Sequence, residues 1–164
     1  MPPKLAVFPK AYMDALCIDG SMSLEQWSLL AAKLPIDGLE FYSGMRYLRD
    51  DSNWPTFRRL AAVNGLSIPM MFCSPDFTHP DPDFRADQIE KEKGWIRMTA
   101  ALGGQYCRVL SGQRRPEVDR SDGIRYAADA ITACIPFAKD HGVTLVIENH
   151  YKDNYCTYPE IEQH

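Results

Sequence analysis

Val143-Thr144-Leu145-Val146-Ile147-Glu148-Asn149-His150 is the stretch on which the fold turns. It is a short apolar run that follows a helix-ending Gly142 and stops abruptly at a carboxylate, an amide and an imidazole. A run of this kind reads as a parallel strand covered on both faces. Side chains alternate along a strand, so Val143, Leu145 and Ile147 share one face and Thr144, Val146 and Glu148 share the other. Glu148 therefore stands at the carboxyl end of the strand, the end that carries the chemistry in α/β folds.

Upstream, the same unit recurs. Strands read at residues 5–8, 36–42, 66–72 and 106–110, spaced by about 30 to 40 residues, the size of a βα repeat. Between them lie helices with recognisable ends. Ser23 and Gln26 make a capping box ahead of the stripe Leu24, Trp27, Leu30, Ala31 and Leu34, and Pro35 stops it. Pro55 suits the first turn of a helix that buries Phe57, Leu60 and Ala61 and closes at Gly65. Asp81 as N-cap and Pro82 open a long helix through Ile89, Ile96, Ala100 and Leu102 to Gly103-Gly104; its run Glu90-Lys91-Glu92-Lys93 reads as a solvated face. Ile124, Ala128, Ile131, Ile135 and Ala138 mark a further helix that Pro136 is expected to kink. Pro69 predicts an irregularity in the third strand. Thr157 and Glu160 look like the start of another helix, inside whose first turn the sequence stops. The chain thus reads as one partial domain over 1–164, the N-terminal five βα units of a truncated eight-unit barrel of ~250 residues. Such a half-barrel leaves edges open on its first and fifth strands, which predicts self-association through them.

Composition narrows the function classes. Of 164 residues 45% are hydrophobic and 24% charged, with a formal net charge of -4, so no basic footprint points to nucleic acid or an anionic membrane. No apolar run is long enough to span a bilayer, and Met1-Pro2-Pro3-Lys4 does not open a secretory leader, so a cytoplasmic protein is expected. The five cysteines show no CxxC pair and read as reduced core residues rather than a disulfide framework or a thiolate zinc site. GxSxG, HExxH, Walker and dinucleotide signatures are all missing.

Several side chains could carry chemistry. An ionisable group on a buried strand is costly unless paired or metal-bound, so Glu148 reads as a functional carboxylate able to hold a divalent cation; the alternative is a structural ion pair with a neighbouring arginine. His150, two residues on, is a candidate ligand, proton donor or substrate contact, or a plain loop histidine. Glu40 ends the second strand on the side of Gly38 and could bond a polyol hydroxyl or a metal-ligating histidine, or pair with Arg108 or Arg46. His79, with no evident structural task, reads as a substrate contact or metal ligand, or equally as a plain surface-loop histidine. Arg108 and Arg114 could bind phosphate or carboxylate at the end of the fourth strand, whereas Arg115 reads as solvated. Lys152 reads first as a solvated charge and otherwise as a contact for an anionic or hydroxylated substrate.

The succession GLEFY (38–42), SPDFTHPD (74–81), RVLSGQ (108–113) and above all VIENHYKD (146–153) resembles the sugar phosphate isomerase/epimerase family of xylose isomerase-like TIM barrels. The resemblance implies a divalent metal (Mn, Mg, Co or Zn) held by carboxylates and a histidine at the barrel mouth, with Glu148 as metal ligand and acid/base. It implies a sugar or sugar phosphate substrate and proton transfer beside a carbonyl through an enediolate. The family's other ligands come from strands six to eight, which this chain lacks, so it is expected to be inactive alone. Two competing readings remain: a zinc-dependent apurinic endonuclease-like hydrolase of the same superfamily, and a catalytically incomplete fragment or binding module.

Overall fold

The structure is a computed structural model, described here for residues 2–148. It resolves into two compact units, Met1–Phe72 with Met98–Tyr106, and Cys73–Arg97 with Cys107–His164. The expected candidates His150 and Lys152, and the helix start at Thr157, lie outside the described residues.

In the first unit, β1 (Ala6–Val7) runs parallel to β2 (Gly38–Leu39), with Ala6 beside Gly38 and Val7 beside Leu39. The predicted second strand is interrupted at Glu40 and resumes as β3 (Phe41–Tyr42), parallel to β4 (Met70–Phe72). Gly38 forms a parallel bridge with Ser67, and a Cβ there would sit 2.8 Å from Ser67 Oγ. The missing side chain is what lets these backbones approach. The irregularity expected at Pro69 is present as a late start: β4 begins only at Met70, although Pro69 O still accepts from the amides of Gln105 and Tyr106.

Helices of this unit follow their end signals. A short α1 (Met13–Cys17), not foreseen from the sequence, precedes α2 (Leu24–Ala31), which opens on a complete Ser23/Gln26 capping box: Gln26 N donates to Ser23 Oγ at 3.1 Å and Ser23 N to Gln26 Oε1 at 2.8 Å. The box satisfies two of the amides a helix start leaves open. α3 (Trp54–Val63) carries Pro55 in its first turn and ends before Gly65, whose φ of 71° is the left-handed value glycine tolerates. Leu39, Phe41, Phe57 and Ala61 are buried in this unit, as alternation and helical spacing require.

The second unit is built on two long helices, α4 (Pro82–Leu102, its last turn belonging to the first unit) and α5 (Arg120–Asp140), and on β5 (Tyr106–Val109) and β6 (Thr144–Ile147). Asp81 caps α4 by accepting from Asp83 N at 2.9 Å. α5 continues through Pro136 without a break, so the proline is accommodated within the last turns rather than ending the helix. Phe77, Val109, Val118, Ile124, Ala127, Ala128, Ala130 and Ile131 form its core, with Leu145 and Ile147 packed against them. Those two β6 residues are the pair expected to share a face, so the strand's two sides are as alternation predicts.

One expectation about α4 fails. The run Glu90–Lys93, expected to be a solvated face, includes Glu92, whose side chain is 0% exposed. The physical reason is helical spacing. Glu92, Ile96 and Thr99 follow one another by three or four residues and so lie along one buried stripe, which the half-buried Ile89 begins.

Candidate functional site

β5 separates two environments. Val109 points into the α5 core, and Arg108, its neighbour, points to the opposite side. There its Nε lies 2.9 Å from Glu148 Oε2, and its Nη1 donates to Cys73 O at 2.8 Å. Glu148 directly follows β6, and its amide donates to Val109 O at 3.3 Å, which seats it at the strand's carboxyl end beside β5. Arg108 is 11% exposed and Glu148 40%, so the guanidinium is the anchored partner and the carboxylate the accessible one. The structure thus shows the alternative open to Glu148 in the sequence, an ion pair with a neighbouring arginine, and gives it Arg108, one of the two arginines considered for Glu40.

The other candidates sit elsewhere. Glu40 is half-buried in the first unit, where its amide donates to Val7 O at 2.9 Å and burial raises its carboxyl above the ordinary range. Among the described residues it has no ion pair; Arg46 instead donates to Ile18 O. His79 does have a structural task, contrary to expectation. Its Nδ1 accepts from Asp81 N at 3.1 Å and its ring stacks on Phe84 at 4.1 Å, bracing the entry to α4. Arg114 is exposed.

Arg115, expected to be solvated, is clasped by Asp76. Nη2 reaches Oδ2 at 2.5 Å and Nη1 reaches Oδ1 at 3.2 Å, a bidentate pair. Burial pushes the Asp76 carboxyl up, but Arg115, the Gln113 amide and the Thr78 hydroxyl together hold it below the usual range. Gly112 completes this clasp between the loops after β4 and β5. Its φ is 130°, and a Cβ would lie 2.5 Å from Thr78 Oγ1 and 2.9 Å from Asp76 Oδ1, so no larger residue fits.

On the helix side of β5 lies a group that sequence reasoning missed. Cys107 Sγ is 3.5 Å from Cys73 Sγ and donates to Glu92 Oε1 at 3.3 Å. All three residues are fully buried. Burial first, and then Cys107, push the Glu92 carboxyl well above its ordinary range, partly offset by Arg108. The signal available in the sequence was the position of Glu92 on the apolar stripe of α4.

Comparison with known proteins shows what the chain as a whole resembles. The family described as xylose isomerase-like TIM barrel matches residues 29–163. Among solved structures, a D-psicose 3-epimerase in the presence of D-fructose is 19% identical, with a TM-score of 0.72, over 90% of this chain and 55% of that one. A D-psicose 3-epimerase from Clostridium cellulolyticum H10, with D-tagatose, is 16% identical at TM-score 0.74, over 87% of this chain and 51% of its own. An IOLI protein with a bound zinc atom is 17% identical at TM-score 0.77, over 98% of this chain and 57% of its own. The chain thus spans about half the length of the structures it matches. No curated protein matches the sequence.

Proposed function

The chain belongs to the xylose isomerase-like TIM barrel family, and from that premise we propose that it is part of a divalent-metal-dependent isomerase or epimerase of a sugar or sugar phosphate. The observation that carries this reading is Glu148: an accessible carboxylate at a strand's carboxyl end, held in orientation by a nearly buried Arg108. Resemblance to epimerase structures supports the substrate class. Four free cysteines among the described residues favour a reducing compartment such as the cytoplasm.

The residues present fit a divalent ion in donor type. A carboxylate has lone pairs for a guanidinium on one oxygen and a cation besides, and oxygen donors suit Mg, Mn and, with a histidine, Zn. Glu148 would hold the ion from this chain, with His150 close in sequence as a nitrogen donor. Once bound, such an ion polarises the carbonyl and hydroxyl oxygens of a sugar. The chain's own part is positional and protolytic. Arg108, fixed at Nη1 by Cys73 O, holds the Glu148 carboxylate so that its free oxygen can take a proton from the carbon beside the carbonyl. Return of that proton to the other face, or to the neighbouring carbon, needs a second group, for which His150 is the candidate this chain supplies; Glu40, His79, Arg114 and Lys152 are proposed only as substrate contacts.

The test uses the complete product of the gene encoding this chain. Incubated with manganese and a panel of ketohexoses and ketose phosphates in deuterium oxide, it should place deuterium beside the carbonyl, read by NMR. Absence of exchange across the panel, together with metal-dependent cleavage of abasic DNA, would replace this reading with the hydrolase one.

A further inference from the structure

The group behind β5 has no part in the chemistry proposed for Glu148. Cys73 follows β4, Cys107 lies within β5 and Glu92 lies on α4, so three separate elements of the second unit deliver one side chain each to a single point. Their donor atoms all fall within 4.8 Å of one another, and no other described histidine, cysteine or acidic residues converge in this way. None of the three is exposed. Glu92 Oε2 has no hydrogen-bond partner, although water does not reach it. A fully buried carboxylate with one bare oxygen is an arrangement that native interiors rarely keep without a counter-ion or ligand.

The distances suit one kind of occupant. Tetrahedral zinc, with bonds of about 2.3 Å to sulfur and about 2.0 Å to oxygen, sets two thiolates about 3.8 Å apart and a thiolate and carboxylate oxygen about 3.5 Å apart. The corresponding separations here are 3.5 Å and 3.3 Å. A slight spreading of side chains would admit the ion. We propose that Cys73, Cys107 and Glu92 form a buried binding site for zinc or a similarly thiophilic divalent ion, distinct from the Glu148 rim.

Two sulfurs select against magnesium, calcium and manganese, which prefer oxygen. Two thiolates and a carboxylate around a divalent ion leave one net negative charge. Arg108, adjacent to Cys107 in the chain and electrostatically felt at Glu92, offsets it. Cys134 of α5 is also fully buried nearby, but lies outside the ligand cluster. Burial above all, and then Glu92, push its thiol up to about 12, so it stays a neutral bystander. With no exposure, the site fills as the chain folds, and the ion's task is to tie Cys73, β5 and α4 together.

The test is cobalt substitution in the full chain, reduced, stripped of metal and refolded with cobalt(II). One cobalt per chain with thiolate-to-metal charge-transfer absorption, displaced by zinc, is the expected result. Cys73→Ser and Cys107→Ser should each abolish that absorption, while Cys17→Ser and Cys156→Ser should keep it. Glu92→Gln, nearly isosteric, should weaken cobalt binding by at least roughly tenfold, since even groups that merely support metal ligands cost that much. If the cysteine variants do not fold, the wild-type spectrum and Glu92→Gln decide. A folded wild type that binds cobalt without thiolate absorption, binds none, or carries a Cys73–Cys107 disulfide overturns the proposal.

Discussion

The two sides of β5 treat a carboxylate in opposite ways. On one side Glu148 is accessible and lies 2.9 Å from a guanidinium. On the other, Glu92 is sealed from water, accepts from Cys107 Sγ on one oxygen and keeps the other unpartnered. The contrast shows that what a carboxylate can do follows from its neighbours more than from its type. An exposed, oriented group can exchange a proton with a substrate. A buried one must be neutral or bound to a cation, because low-dielectric surroundings penalise its charge.

The largest effect that could break this contrast is on turnover. In the complete gene product, Glu148→Gln should slow deuterium exchange into the substrate by about 10²–10⁴-fold, the usual share of a general base. Cobalt–thiolate absorption should be untouched by the same change. If both readouts fall together, the two sides of β5 are not independent.

A third carboxylate calibrates the comparison. Asp76 is only partly buried, unlike Glu92, and is paired on both oxygens with Arg115. Arg115→Ala should therefore cost about 2–3 kcal/mol in urea unfolding at neutral pH, by stranding a half-buried charge. The Asp76 carboxyl is held down in the folded state, so its contribution is present above the unfolded carboxylate pKa and is lost as pH falls through the folded value. An unfolding free energy for Arg115→Ala equal to wild type at neutral pH would show that the clasp adds no stability.

Glu92 has the opposite sign. Its folded carboxyl is raised, so the folded state suffers no penalty below the unfolded pKa and an increasing one as pH rises toward the folded value. Glu92→Gln should stabilise the metal-free protein by about 1–2 kcal/mol at neutral pH and by nothing in acid. With zinc present the sign should reverse, because a ligand has been removed; thermal melts with and without zinc measure both. The smallest effect serves as a control: Lys91→Ala removes an exposed ion pair to Asp87 and should change the unfolding free energy by less than about 0.5 kcal/mol.

Much of this architecture was legible in the residues. The apolar run ending at Glu148, the capping box at Ser23, and the Asp81-Pro82 and Gly103 brackets of α4 are local signals, and local signals fix element type and ends. Pairing across elements was not legible, because it depends on contacts distant in sequence. Arg108 with Glu148 and Arg115 with Asp76 are separated by about 40 positions, the reach of a βα unit. The structural task of His79 was not legible because its partner is a backbone amide, which has no signature in the sequence. In the run 90–93 charge and periodicity point opposite ways for Glu92, and periodicity wins: its spacing to the apolar Ile89 and Ile96 puts it on the inward stripe.

The clasp around Gly112 has a consequence for anything arriving at the strand ends. Asp76 bonds the Gln113 amide and Arg115, while Thr78 bonds the Gln113 carbonyl, so two successive loops are fastened like facing pages of a bound book. Loops fastened to each other in this way have little freedom left to lose when any molecule comes to rest beside them.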